Sequence, residues 1–180
     1  MLRHLTTACA LALCTIALPA AAQELFGGIY AHAVDTPLSL DTGEHGIDLE
    51  AGYRFAPIEA LAAIGRPTPY LIASLNTAGD TSFAGAGLSW KVGKGRIYLR
   101  PGIGLVINTG PAYRVNRATW IRTDLGSQVT FEPELAVGAR LTPRLGIEAS
   151  WVHLSHARLF NREQNPGLDM IGLRLIYAVN

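Results

Sequence analysis

The sequence predicts an all-β protein, an eight-stranded antiparallel transmembrane β-barrel, and three observations carry that reading. The chain is 49% hydrophobic with 19 glycines, yet beyond residue 22 it has no unbroken apolar run of the length a spanning helix needs. The hydrophobicity is spread over alternate residues, the period at which side chains switch faces of a strand. The alternating segments run roughly 10 residues each, and their even number suits a small closed barrel.

Residues 1–22 read as an export signal. Arg3 gives the positive start, Leu5 to Leu18 the apolar centre, and Ala20-Ala21-Ala22 a small-residue cleavage site before Gln23. Both cysteines, Cys9 and Cys14, fall inside it, so the barrel domain, residues 23–180, has no thiol, disulfide or cysteine metal site. Without Arg3, acidic and basic residues are equal in number, which argues against a nucleic-acid partner.

A first strand is expected over Leu25–Val34, followed by a polar loop, Asp35–His45. The second, Gly46–Phe55, sends Ile47, Leu49, Ala51 and Tyr53 one way and Asp48, Glu50, Gly52 and Arg54 the other. Ala56–Pro67 is a connector with a helical turn at Ile58–Ile64. Pro69–Thr77 and Ser82–Val92 form the third and fourth strands, joined at Ala78-Gly79-Asp80, and Gly93-Lys94-Gly95 is a tight turn. The fifth, Arg96–Asn108, puts Ile97, Leu99, Ile103, Leu105 and Ile107 on one face, with Tyr98 and Arg100 on the other. After the arginine-rich loop Thr109–Asp124, the sixth strand spans Leu125–Leu141. Thr142-Pro143-Arg144 then turns into a last hairpin within Leu145–Val179, which holds strands seven and eight.

The polar faces carry acids (Asp48, Glu50, Glu132, Glu134, Glu148) and bases (Arg54, Arg96, Arg100, Arg140, Arg174). Inside a membrane barrel these can pair across the lumen, where a lone charge would be costly. A lipocalin-like barrel or sandwich would turn its apolar face inward, and two signs of charge on one face fit that less well. With a periplasmic N-terminus, 56–67, 93–95 and 142–144 are the periplasmic turns. Residues 35–45, 78–80, 109–124 and 157–167 are then the external loops.

The last hairpin holds the chemistry. Parity puts Leu145, Ile147, Ala149, Trp151, His153 and Ser155 on one face, and Asp169, Ile171, Leu173, Leu175 and Tyr177 on the matching face of the return strand. His153, Ser155 and Asp169 therefore project together from the apolar side at the loop end. A hydroxyl, an imidazole and a carboxylate are the parts of an acyl-transfer site, with Ser155 as nucleophile, His153 as base and Asp169 orienting the ring. The plainer reading makes them rim residues that meet lipid headgroups. His153-x-x-His156 does not suggest a metal, because parity sends the two rings to opposite faces. No Gly-x-Ser-x-Gly elbow, phosphate loop or dinucleotide fingerprint occurs. His32 and His45 read as structural or solvated, and Trp151 and Tyr177 as interface anchors. The loop arginines Arg114, Arg117, Arg122, Arg158 and Arg162 suit either phosphate recognition or a solvated basic rim.

The run from Ser150 to His156 (Ser-Trp-Val-His-Leu-Ser-His), followed by Asn165-Pro166-Gly167-Leu168-Asp169, resembles the lipid A 3-O-deacylase (PagL) family. That family's pattern is His-x-Ser-Asn, a short loop, then Asn-x-Gly-apolar-Glu. The resemblance implies an eight-stranded barrel in the cell outer membrane with its triad on the lipid-facing outside. His153, Ser155 and Asp169 would be that triad, Asn165 and Gly167 would match the motif's asparagine and glycine, and His156 would stand in the oxyanion region. The substrate implied is the lipid A of lipopolysaccharide, from which an ester-linked 3-hydroxyacyl chain is removed among outer-membrane lipids without metal or organic cofactor. Arg114, Arg158 and Arg162 are the candidates for its phosphates, and a homodimer stays open. This chain departs from the pattern in having Asp169 for glutamate, a loop two residues longer, and His156 where the family has asparagine. The rival readings are a catalytically silent barrel serving structure or adhesion, and an esterase for phospholipid or another acyl position.

Overall fold

Eight strands close into one antiparallel barrel in the computed structural model, which describes residues 23–93 and 95–179. The expected export signal, residues 1–22, together with Lys94 of the expected Gly93-Lys94-Gly95 turn and Asn180, lies outside the described residues. The strands are β1 (Glu24–Ala31), β2 (Ile47–Arg54), β3 (Thr68–Asn76), β4 (Phe83–Ser89), β5 (Ile97–Asn108), β6 (Val129–Arg140), β7 (Leu145–Leu154) and β8 (Leu168–Ala178). Each pairs with its chain neighbour, and β1 closes on β8 with Glu24 opposite Ala178 and Ala31 opposite Ile171. Closure leaves no free sheet edge, the condition for strands to stand in hydrocarbon. No helix among the described residues is long and apolar enough to cross a membrane, so any crossing is made by strands. Residues 59–64 of the connector form a 3-10 helix, ended by Gly65 in the left-handed region.

The faces follow the predicted parity. Leu25, Ile29, Leu49, Leu71, Leu99 and Leu173 stand exposed around the outside. Aromatic rings and charges fill the lumen. Glu148 accepts hydrogen bonds from Tyr98 (2.8 Å), Arg100 Nε (2.8 Å), Arg174 Nε (2.7 Å) and Arg54 Nη2 (3.3 Å). Arg174 also reaches Glu134 at 2.8 Å and Glu50 at 3.3 Å, while Arg100 reaches Glu24 at 2.8 Å. The Tyr70 hydroxyl donates to Glu132, and Phe26 lies under the Arg54 guanidinium at 4.2 Å. Rings of this size fit because glycines face them. A Cβ on Gly52 would lie 2.1 Å from Phe26 Cζ, and one on Gly138 would lie 2.3 Å from Tyr98 Cζ.

Three strands, β1, β4 and β6, begin or end several residues inside the bounds their periodicity predicts, each for a local reason. β1 stops at Ala31 because His32 turns inward to carboxylates and Ala33 takes φ 51°, a left-handed value that ends a strand. β4 stops at Ser89, after which only the Trp90–Pro101 bond and the Val92–Leu99 bridge continue the ladder. β6 begins at Val129 because Leu125 is buried in the loop layer and Gly126 turns left-handed.

The ends of the barrel differ. At one end a tight turn joins β6 to β7, with residues 55–67 and 90–96 making the other connections. At the other end longer loops form a hydrogen-bonded layer. We label the segment between β1 and β2, residues 32–46, loop 1, and that between β7 and β8, residues 155–167, loop 4.

Glu148→Ala would leave Arg54, Arg100 and Arg174 short of their shared counter-charge inside the lumen. Such a loss should lower unfolding stability in micelles by about 3–5 kcal/mol, read from urea titrations of the refolded barrel.

Candidate active site

His153 and Asp169 are direct cross-strand partners in the β7–β8 register, which places their side chains side by side on the outer face. His153 Nδ1 lies 2.7 Å from Asp169 Oδ1. A carboxylate can only accept, so Nδ1 carries a proton, and in the neutral ring that tautomer leaves the lone pair on Nε2. Ser155 follows two residues along the same face, held by an antiparallel bridge to Phe131 with N···O distances of 2.7 and 3.2 Å. Among the described hydrogen bonds none joins Ser155 to His153 Nε2; such contacts often tighten only once substrate is bound. Asp169 is fully buried and His153 nearly so, although both point away from the lumen.

Loop 1 makes that burial. The Val34 N–H donates to the Asp169 carbonyl at 2.9 Å, the Leu40 N–H to the Pro166 carbonyl at 2.9 Å, and the Thr36 hydroxyl to Asp169 Oδ2. Loop 1 is itself pinned at both ends by one side chain. His32 Nδ1 sits 2.8 Å from Asp48 and Nε2 2.8 Å from Glu44. Burial disfavours a charge on this ring, but the two carboxylates, by hydrogen bonding and by charge, outweigh it and raise its pKa from 6.5 to about 9.

Gly167 has both a conformational and a steric reason to be glycine. Its φ is +75°, and a Cβ there would lie 2.7 Å from His153 Cε1 and 2.9 Å from the Leu38 carbonyl. Asn165 Oδ1 accepts the His156 N–H at 3.0 Å, which leaves its amide NH2 to donate elsewhere. The His156 ring lies on the inward side, fully buried, with Nε2 at 2.8 Å from the Gln164 carbonyl. That ring is turned from the Ser155 face and ties loop 4 together. Directly after it, Ala157 and Arg158 both take left-handed φ values, 50° and 59°, in a turn closed by the Leu159 N–H on the His156 carbonyl.

The loop arginines divide. Arg114 is paired with Glu44 and Asp80, each at 2.8 Å, and Arg122 with Asp124 at 2.6 Å. Arg158 and Arg162 stand exposed on loop 4, the segment that carries Asn165 and Gly167.

A family model for lipid A 3-O-deacylase (PagL) matches residues 49–178. The chain belongs to that family. Its fold is similar to that of the outer-membrane enzyme PagL, whose crystal structure aligns with a TM-score of 0.58 at 15% identity, covering 87% of this chain and 99% of that one. The neisserial surface protein NspA aligns with a TM-score of 0.57 at 10% identity, covering 87% and 96%. A designed transmembrane β-barrel aligns at 0.52 and 12% identity, covering 88% and 95%. No curated protein matches the chain by sequence. At these identities the structures show the fold alone: an eight-stranded barrel of outer-membrane type.

Sequence periodicity does not reveal Thr36 and Trp151, two further donors to Asp169. The usable signal was closure. A β1 that pairs with β8 must deliver the loop after β1 to the start of β8.

Two consequences concern loop 1. A ring whose pKa is raised on folding contributes its stabilisation fully below about 6.5 and loses it as pH climbs through about 9. Protease cleavage within loop 1 should therefore accelerate from pH 6.5 to 9, and His32→Gln should be cleaved quickly at every pH. Gly167→Ala should open the same loop while the barrel stays folded, at a strain of about 1–3 kcal/mol.

Proposed function

We propose that this protein is an outer-membrane serine esterase that removes an ester-linked 3-hydroxyacyl chain from the lipid A of lipopolysaccharide. The observation that carries the reading is the 2.7 Å His153–Asp169 pair beside Ser155, on the outer face of a barrel in this family. The site opens sideways, toward lipid, as a substrate that stays in its leaflet requires. The loop end is read as the external end, so the triad faces the outer leaflet.

The chemistry follows from the tautomer. His153 Nε2 takes the Ser155 proton as Oγ attacks the ester carbonyl, and Asp169 stabilises the imidazolium that forms. The free NH2 of Asn165 is the side-chain donor we assign to the developing oxyanion. Collapse expels the sugar hydroxyl, which receives the proton from His153. Water then attacks the acyl-Ser155 ester with His153 again as base, freeing the fatty acid and restoring the serine. We assign His156 to support of loop 4. Phosphate recognition falls to Arg158 and Arg162, because Arg114 already has two carboxylate partners.

The silent-barrel reading has one observation in its favour: the surface protein NspA fits this fold almost as well as PagL does. Purified wild type and Ser155→Ala, incubated with lipid A and read by mass spectrometry, separate the two. Wild type should release one 3-hydroxyacyl chain, and Ser155→Ala should be slower by at least about 10³-fold. Release by neither protein would favour the silent barrel, and loss of a different chain or of a phospholipid chain would reassign the substrate. Replacing Arg158 and Arg162 together by alanine should raise KM with little change in kcat.

A further inference from the structure

The Asp169 carboxylate is met by the side chains of His153, Trp151 and Thr36, with the Ser39 hydroxyl of loop 1 also against it, and only His153 belongs to the triad. Asp169 Oδ1 takes the His153 Nδ1 proton at 2.7 Å and the Trp151 Nε1 proton at 2.8 Å, while Oδ2 takes the Thr36 hydroxyl. Thr36 is oriented for this, because its Oγ1 already accepts the Leu38 N–H at 3.0 Å and has its proton left to give. Trp151 shares the outer face of β7 with His153, two residues back. Its ring lies against the imidazole with centroids 5.8 Å apart and planes 29° apart.

We propose that Trp151 and Thr36 are positioning residues that lock the Asp169 carboxylate, and that they make the short aspartate side chain serve where the family pattern has glutamate. This inference rests on the hydrolytic reading above. The geometry favours it over a general structural role for three reasons. A carboxylate bonded through one oxygen alone can rotate about Cβ–Cγ and carry the imidazole with it; donors on both oxygens remove that freedom. A bond to a charged acceptor is also about twice as strong as a neutral one, so each anchor matters in a site shielded from water. Finally, Thr36 comes from loop 1 and Trp151 from β7, so the carboxylate is gripped from two separate elements. Loop 1 is then part of the active site, and a site read only from the β7–β8 hairpin is incomplete.

The test uses the full chain refolded into micelles, with 15N-labelled histidine, as wild type, Trp151→Phe, Thr36→Val and Thr36→Ser. The first readout needs no substrate: the NMR signal of the His153 Nδ1 proton, which persists only while Asp169 holds it. It should broaden or vanish in Trp151→Phe and Thr36→Val and survive in Thr36→Ser, which keeps the hydroxyl. The second readout is lipid A turnover. There kcat should fall on the order of tenfold in the first two variants, with KM little changed and Thr36→Ser close to wild type. A wild-type Nδ1 signal in both Trp151→Phe and Thr36→Val would overturn the proposal. A wild type inactive on lipid A would remove the substrate reading while the NMR signal still decides this one. Should Trp151→Phe fail to fold, Thr36→Val, a change in loop 1 outside the strands, decides alone.

Discussion

The seam between β1 and β8 is the contact on which the rest of this molecule depends. Eight residue pairs from Glu24–Ala178 to Ala31–Ile171 close the sheet, and closure is what removes every unpaired backbone group from hydrocarbon. The same seam has a second effect. It carries the chain directly from β1 into loop 1 beside the first residues of β8, so Val34 reaches the Asp169 carbonyl and Thr36 its carboxylate. The closure that makes the barrel stable in lipid thus also completes the surroundings of its candidate catalytic acid.

A closed barrel with an apolar exterior must put its polar side chains inside or at the rims, and this chain does both with different consequences. In the lumen, Arg54, Arg100 and Arg174 share Glu24, Glu50, Glu134 and Glu148 in a network where each charge except Glu50, paired with Arg174, meets more than one opposite charge. Desolvating so many charges is favourable only if they are mutually satisfied, so the lumen acts as one unit and tolerates little change. At the loop end the pairs are fewer, and those of Arg114 are nearer to water. His32 between Asp48 and Glu44, and Arg114 between Glu44 and Asp80, hold loops together that would otherwise be free. The rigid lumen supports a rim whose order depends on a handful of contacts.

What the sequence made legible follows from the same division. Strand number, faces and the β7–β8 register depend on alternation, which is local, and the outward grouping of His153 with Asp169 came with them. Strand ends were less legible because they are set by side chains reaching across the barrel, such as His32 turning to Asp48. The same holds for the shell around the site. Thr36 stands 133 residues from Asp169, and nothing in the spacing of either residue points to the other. Trp151 looked like an interface anchor because an exposed strand tryptophan usually is one, and its indole N–H commitment is visible only in three dimensions.

The departures from the family pattern are best understood as linked to their neighbours. A glutamate and an aspartate in the same register place a carboxylate at different distances from the backbone, yet His153 is held here at 2.7 Å. The shorter acid stays close to the strand, within reach of the β7 indole and of a loop 1 hydroxyl, and those two donors take up the fixing that a longer side chain would need from other partners. His156 follows the same logic. Its backbone N–H holds Asn165 and its ring holds the Gln164 carbonyl, while Gln164 in turn donates to the carbonyls of Arg122 and Asp124. A side chain that faces away from the serine can thus still decide where the asparagine amide points, because it orders a longer loop that has more freedom to lose. The chemistry-bearing positions of the motif are few, and what lets each of them vary is the set of donors and acceptors that the closed barrel brings alongside.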